Sequence, residues 1–195
     1  MYDFAFQKPT SVPEAVKLLA DPEAKALAGG QTLIPVLKQR LNKPSTVVDL
    51  SKLGLAGITV AGGVLTVGAM TTHVTVATSA DVKKALPALA ALASNIGDRA
   101  VRYRGTIGGS LANNDPTADY PAAVLALGAT IKTDRRSIAA DDYFQGMFTT
   151  ALDTAELITA VEFPIPEKAA YVKFANPASR YAMVGVFVAK GPKGV

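Results

Sequence analysis

The sequence contains no cysteine and only one histidine, His73. Without cysteine the chain has no disulfide, no thiol nucleophile, no thiolate zinc site and no iron–sulfur ligands of its own. A single histidine also excludes a His-rich metal site within the chain. His73 itself could anchor a cofactor covalently, but a histidine at a helix start or on the surface is the favoured interpretation.

The sequence also lacks the segments typical of membrane and nucleic-acid-binding proteins. No apolar run approaches the roughly 20 residues that a membrane-spanning helix needs, and the start, MYDFAFQKPT, does not resemble a signal peptide. The net charge is +4, but lysines and arginines are scattered and do not interleave with aromatic residues. We expect neither membrane insertion nor nucleic-acid binding, and the absence of cysteine slightly favours a cytoplasmic location.

The composition is that of a folded protein, with 195 residues of which 49% are apolar and 18% are charged. Residues 1–55 predict a small βαβ lobe, with strands at residues 2–6 and 46–50 and a helix at residues 33–41. Another helix is expected before it, between Ser11 and Asp21. It begins at a capping box, in which Ser11 is the N-cap and Glu14 follows three residues later.

Residues 56–168 predict a second lobe. Its strands are expected at residues 58–60, 65–67, 129–133 and 157–163, and a long helix is expected at residues 81–95, with a possible kink at Pro87. Arg102 and Arg104 alternate, which would place them on one face of a strand. Residues 169–195 predict two further strands, at 170–174 and 181–190, without an obvious partner. We interpret them as the beginning of an incomplete third domain.

Two segments each combine a glycine pair with a small hydroxyl residue. They are Ala28-Gly29-Gly30-Gln31-Thr32 and Thr106-Ile107-Gly108-Gly109-Ser110. Glycine allows backbone N–H groups to turn toward an anion, and the first segment precedes a predicted helix. Neither segment is a Walker loop or a G-x-G-x-x-G fingerprint. From the residues alone we therefore infer only a possible site for a phosphate-bearing ligand.

The spaced motifs around these segments are more specific. AGGQTLIPVLKQRL at residues 28–41 and GTIGGSLANNDPTADYP at residues 105–121 resemble the FAD-binding medium subunit of the carbon monoxide dehydrogenase and xanthine dehydrogenase family of molybdenum hydroxylases. FAFQKPTSVPEAVKLL, VGAMTTH, ELITAVEFPIP and KFANPASRYAMVGVFVA extend the resemblance, in family order, over nearly the whole chain. Members of this family run tens of residues further than this chain.

The resemblance implies an α+β fold. It consists of a two-lobed, PCMH-type FAD-binding domain followed by the start of an α/β C-terminal domain. The FAD pyrophosphate would lie between the two glycine segments, and Asp119 would hydrogen-bond the nucleotide end of FAD. Lys173 matches a family lysine near the flavin, and Tyr181 matches an aromatic residue that packs on the isoalloxazine ring. The cofactor-binding residues implied are Ala28, Gly29, Gly30, Gln31, Thr32, Leu33, Ile96, Thr106, Gly108, Gly109, Ser110, Asp119, Ile158, Lys173 and Tyr181.

The resemblance also implies partners. A large subunit would carry the molybdenum–pterin cofactor, a small subunit would carry [2Fe-2S] clusters, and the complex would be a dimer of heterotrimers. Electrons would pass from the clusters through FAD to an external acceptor, and no residue of this chain would act as acid, base or nucleophile. Two alternatives remain: a stand-alone flavin oxidoreductase with the same fold, and an assembly module that has lost its flavin.

Overall fold

The computed structural model describes residues 1–191, so residues 192–195 of the predicted third domain lie outside the described part. The N-terminal part, which we call the first lobe, is a parallel sheet of order β1-β3-β2 with two short helices. Its elements are β1 (Ala5–Gln7), α1 (Val12–Leu19), β2 (Lys25–Leu27), α2 (Leu33–Lys38) and β3 (Thr46–Asp49). A small core holds this lobe together, and Leu157 from the following part of the chain contributes to it.

The first helix begins much as the capping box predicts. The Ser11 hydroxyl accepts a hydrogen bond from the Glu14 backbone N–H at 3.4 Å. The Glu14 carboxylate accepts from the backbone N–H of Thr10 rather than from that of Ser11. The reciprocal bond is therefore shifted by one residue, and both bonds still satisfy N–H groups at the helix start.

The second lobe is built on an antiparallel sheet of order β4-β5-β10-β6-β7. Its strands are β4 (Ile58–Ala61), β5 (Val64–Gly68), β6 (Thr130–Thr133), β7 (Ser137–Ala139) and β10 (Ile158–Pro164), and β8 (Phe144–Gly146) with β9 (Thr149–Thr150) forms a separate ribbon. Its helices are α3 (His73–Thr78), α4 (Ala80–Ala85), α5 (Pro87–Ser94), α6 (Arg99–Arg104), α7 (Ile107–Asn113), α8 (Tyr120–Ala126) and α9 (Ala140–Tyr143). The main core lies between these helices and the sheet.

Two predictions about residues 81–104 need correction. The long helix expected at residues 81–95 is two helices, α4 and α5, because Leu86 before Pro87 has a non-helical backbone, with φ −148° and ψ 69°. The segment with Arg102 and Arg104 is the helix α6 and not a strand. Asp98 caps it by accepting a hydrogen bond from Val101 N–H at 2.9 Å.

The last two strands, β11 (Lys168–Ala175) and β12 (Ala182–Lys190), pair with each other in an antiparallel hairpin. We expected these strands to lack an obvious partner, so their pairing with each other is a correction. One face of the hairpin, including Tyr171 and Phe187, packs on the main core. This hairpin therefore rests directly on the second lobe. Among the described residues, no helix has both the length and the apolar character required to cross a membrane.

Candidate functional site

A pocket of about 850 Å³ lies where the two lobes meet. Residues of the first lobe, of the second lobe and of the connection between β11 and β12 line it. With the exception of Lys173, the predicted cofactor-binding residues all contribute to its wall: Ala28, Gly29, Gly30, Gln31, Thr32, Leu33, Ile96, Thr106, Gly108, Gly109, Ser110, Asp119, Ile158 and Tyr181. Residues that are far apart in the sequence are therefore gathered around one cavity of a size typical for ligands.

The first glycine segment, residues 28–32, connects β2 to α2 and presents unused hydrogen-bond donors. Within residues 1–191, the backbone N–H groups of residues 29–33 donate no hydrogen bond. Gly30 has φ +75°, a conformation that glycine adopts without steric cost. Free N–H groups at the start of a helix attract anions, so this segment can hold phosphate oxygens.

The second glycine segment is helical, since its two glycines lie in the first turn of α7. Thr106 is the N-cap, and its hydroxyl accepts a hydrogen bond from Gly109 N–H at 3.2 Å. Gly108 N–H donates to Ala69 O at 2.9 Å, and Ser110 N–H donates to Thr106 O at 3.0 Å. The N–H groups of residues 107–110 are therefore used within the protein, whereas the Thr106 backbone N–H donates no hydrogen bond among the described residues. This N–H and the side-chain hydroxyls of Thr106 and Ser110 are the groups of the segment that can donate to a ligand.

The two segments touch each other. A Cβ added to Gly29 would overlap the carbonyl oxygen of Arg104 and would lie 2.7 Å from the Cα of Gly105. A Cβ on Gly109 would lie 3.5 Å from the Cβ of Ala28. A pyrophosphate can therefore contact both segments only by lying across the seam that they form, since there is no gap between them at these positions.

His73 lies beneath the second segment at the start of α3. The sequence favoured a helix-start or surface histidine; the first description is correct, but the side chain is buried, with 5% exposure. Its backbone N–H donates to Gly105 O at 2.9 Å, and its Nδ1 has no partner among the described residues. Burial, with a smaller effect of the Arg102 charge, lowers the pKa of His73 to about 4, so the ring is neutral near pH 7.

Asp119 lines the pocket, but its carboxylate is already bound on one side. Tyr171 donates to Oδ1 at 2.6 Å, and the Lys173 ammonium lies 2.9 Å from Oδ1 and 3.1 Å from Oδ2. Lys173 also donates to Asn95 O at 3.0 Å. Lys173 thus lies behind Asp119 and not on the pocket wall, and its role near a flavin stays a prediction.

Sequence reasoning missed a second buried carboxylate at the pocket, that of Glu156. Arg136 binds it through two bonds of 2.9 and 2.8 Å, and Thr133 donates to it at 2.7 Å. The Arg136 hydrogen bond, opposed by burial, lowers the pKa of Glu156 to about 2. Its partners are 20 and 23 residues distant, so no local motif could have indicated the pair. The ion pair holds the loop after β9 in place, so the Glu156 carboxylate is not free to bind a ligand.

The chain is similar to known proteins over most of its length. Residues 2–166 match the family described as the FAD binding domain in molybdopterin dehydrogenase. The chain is 38% identical to the nicotine 6-hydroxylase medium subunit of Paenarthrobacter nicotinovorans over 190 residues, covering 94% of this chain and 67% of that protein. It is also 38% identical to the carbon monoxide dehydrogenase medium chain of Afipia carboxidovorans, covering 95% and 68%.

The chain is also similar to a solved structure. The quinoline 2-oxidoreductase structure from Pseudomonas putida 86 superposes with a TM-score of 0.90 at 38% identity, covering 94% of this chain and 67% of that one. The chain therefore spans about two thirds of the length of these relatives.

Proposed function

Because the chain belongs to the family of FAD binding domains found in molybdopterin dehydrogenases, we propose that it is the electron-transfer subunit of a molybdenum-containing hydroxylase or dehydrogenase. In this proposal a large partner subunit holds the molybdenum–pterin cofactor and a small one holds [2Fe-2S] clusters. Electrons pass from the clusters through FAD to an external acceptor. The complex is a cytoplasmic dimer of heterotrimers.

The names of the relatives support a division of labour between subunits. Both the nicotine 6-hydroxylase and the carbon monoxide dehydrogenase relatives are named as medium chains. The present chain has no cysteine with which to bind an iron–sulfur cluster. Its own contribution is thus the binding of FAD, while the clusters and the substrate site are placed on the partners.

The observation that carries the proposal is the row of unused N–H donors at residues 29–33, which borders the pocket. These donors and the start of α2 suit the doubly charged pyrophosphate of FAD, and the Ser110 hydroxyl can add a further hydrogen bond. Ile96 and Ile158 offer apolar contacts to the rings, and Tyr181 can stack on the flavin.

In this proposal the chain binds and orients FAD and contributes no further chemistry to the reaction. Bound FAD supplies the redox chemistry, since it can accept and release electrons. The side chains of the pocket hold and orient the cofactor, and Asp119 can accept a hydrogen bond from a hydroxyl or amino group at the nucleotide end. No side chain of the site needs to act as a general acid, base or nucleophile.

A binding experiment with the purified chain tests the proposal directly. FAD is added, unbound flavin is removed, and the visible absorbance of the retained flavin is measured together with the melting temperature. At FAD concentrations of about 100 times Kd, binding should stabilise the fold by about 2.7 kcal/mol. A chain that stays colourless and shows no increase in melting temperature contradicts the proposal.

Purification of the complex from its native cells separates the proposal from its alternatives. We expect co-purification with a molybdenum–pterin subunit and an iron–sulfur subunit, identified by mass spectrometry. Reduction of the flavin by a small organic substrate without any partner would instead indicate a stand-alone flavin oxidoreductase. A complex that assembles without flavin would indicate an assembly module.

A further inference from the structure

The carboxylate of Asp119 is held from behind by the hairpin formed by β11 and β12. The Lys173 ammonium contacts both carboxylate oxygens, at 2.9 and 3.1 Å, whereas the Tyr171 hydroxyl contacts only Oδ1, at 2.6 Å. The side chains of Lys173 and Asp119 are each 5% exposed. A cation that bridges both oxygens balances the charge, while a single hydroxyl distinguishes one oxygen from the other.

Tyr171 is suited to act as a donor in this arrangement. Burial, together with the adjacent Asp119, raises the pKa of the Tyr171 phenol, so the hydroxyl keeps its proton at neutral pH. The phenol must therefore donate to the carboxylate. A short hydrogen bond to a charged acceptor is among the stronger ones in proteins.

Gly185 provides the space for this contact. It lies opposite Lys173 in the register of the hairpin, and the Tyr171 ring passes over it. A Cβ on Gly185 would lie 2.7 Å from the Tyr171 hydroxyl oxygen and 3.4 Å from the nearest ring carbons. The conflict is thus with the hydroxyl oxygen more than with the ring, which makes it specific to tyrosine at position 171.

We propose that Tyr171 is a positioning residue for the cofactor site: its hydroxyl fixes the rotation of the Asp119 carboxylate, so that the free lone pairs face the pocket and accept hydrogen bonds from the nucleotide end of FAD. This inference rests on the function proposed above. It makes the β11–β12 hairpin the rear support of the nucleotide site. Lys173 acts in the same support by balancing the charge of Asp119.

The first test is Tyr171→Phe in the purified chain, with titrations of FAD and of adenosine diphosphate, which carries the nucleotide without the flavin. We expect both ligands to bind about tenfold more weakly, because a hydrogen bond to a charged group is lost and the carboxylate can rotate. A lower melting temperature with both affinities unchanged would show that Tyr171 only stabilises the fold, and would overturn the inference.

The second test uses Gly185→Ala, alone and combined with Tyr171→Phe. In the wild-type background Gly185→Ala should displace the hydroxyl and weaken FAD binding by about the same factor as Tyr171→Phe. In the Tyr171→Phe background it should cause no further loss, because the hydroxyl with which the Cβ conflicts is absent. Equal losses in the two backgrounds would assign the effect to packing of the hairpin.

The two proposals fail in different ways. If the wild-type chain binds neither FAD nor adenosine diphosphate, the proposed function falls and this inference falls with it. If the wild-type chain binds both and Tyr171→Phe binds them equally well, only the positioning role of Tyr171 falls.

Discussion

The two glycine segments have similar sequences but different structures. In residues 28–32 the glycines leave a row of N–H groups without hydrogen-bond partners among residues 1–191, and Gly30 has a positive φ of 75°. In residues 106–110 the glycines lie in the first turn of α7, where Gly108 and Gly109 N–H groups already donate to Ala69 and Thr106. A glycine pair can thus serve ligand binding in one place and close packing in another.

This difference predicts how each segment responds to substitution. The second segment approaches β5 closely, since a Cβ on Gly108 would lie 2.7 Å from the Cβ of Ala69 and 2.8 Å from its carbonyl oxygen. Substitution of Gly108 should therefore reduce the stability of the free chain. In the first segment, substitution of Gly30 should in addition reduce the affinity for FAD.

The largest effect is expected for Gly108→Ala. The added methyl group collides with the backbone of Ala69, and overpacking of this kind costs about 1–3 kcal/mol of unfolding free energy. Denaturant unfolding without FAD measures the loss. The matched control is Gly109→Ala, which is in the same helix turn but whose nearest contact, the Thr106 hydroxyl, is at 3.0 Å. At position 109 alanine has a better helix propensity than glycine by about 1 kcal/mol, which offsets the close contact with the Thr106 hydroxyl. Equal losses for the two variants would contradict the packing role of Gly108.

The next effect is expected for Gly30→Ala. A side chain at φ +75° is strained by about 1–2 kcal/mol, and the Cβ would also press against Ile34 at 2.6 Å. Relaxation of this strain turns the neighbouring N–H groups away from the pocket, so we expect FAD to bind about tenfold more weakly. Gly62→Ala is the matched control, since Gly62 has φ +57° in the open β4–β5 turn. It should lose stability but keep its FAD affinity, and a loss of affinity there as well would indicate a global effect.

A smaller effect is expected for Ser110→Ala. Because the N–H groups of residues 107–110 are used within the protein, the contribution of these four residues to FAD binding should come from the Ser110 hydroxyl group. Loss of the Ser110 hydroxyl should weaken FAD binding about fivefold, with little change in stability. Ser137→Ala, at an exposed position on β7, serves as the control. Unchanged FAD affinity in Ser110→Ala would show that the Ser110 hydroxyl makes no hydrogen bond to FAD.

Local patterns predicted most elements of the fold but not their exact type. The hairpin of β4 and β5 follows from two β-branched runs around Ala61-Gly62-Gly63. The alternation of Arg102 and Arg104 would suit one face of a strand, whereas Asp98, three residues before Val101, is the cap of the helix that forms. Two residues spaced by two positions are compatible with a helix or a strand in so short a segment. The capping residue Asp98 is therefore the more informative signal.

The candidate site was less accessible to sequence reasoning where its contacts are distant. The glycine segments and Asp119 stand in spaced motifs, and the structure brings them to one pocket. The bonds of Asp119 to Tyr171 and Lys173 join residues 52 and 54 positions apart. Periodicity and capping rules act over a few residues, so they could not indicate that Asp119 and Lys173 bind each other.

The smallest expected effect concerns pH and the support beneath the second segment. His73 has its pKa lowered from 6.5 to about 4 mainly by burial, so the unfolded chain binds a proton at a higher pH than the folded chain does. The stability that neutral His73 contributes is complete above about pH 6.5 and is lost as the pH falls toward 4. We expect the unfolding free energy to fall by about 0.7 kcal/mol between pH 7 and pH 6.

His73 is the only histidine, so this slope should disappear in His73→Phe, whatever the absolute stability of that variant. The first glycine segment has no buried histidine beneath it, so the same acidification should leave its N–H donors in place. Denaturant titrations at pH 7 and pH 6 measure the change in unfolding free energy. FAD titrations of the folded chain at the same pH values show whether the N–H donors of the first segment still bind FAD. An equal slope in the wild-type chain and in His73→Phe would remove His73 as the acid-sensitive support of the second segment.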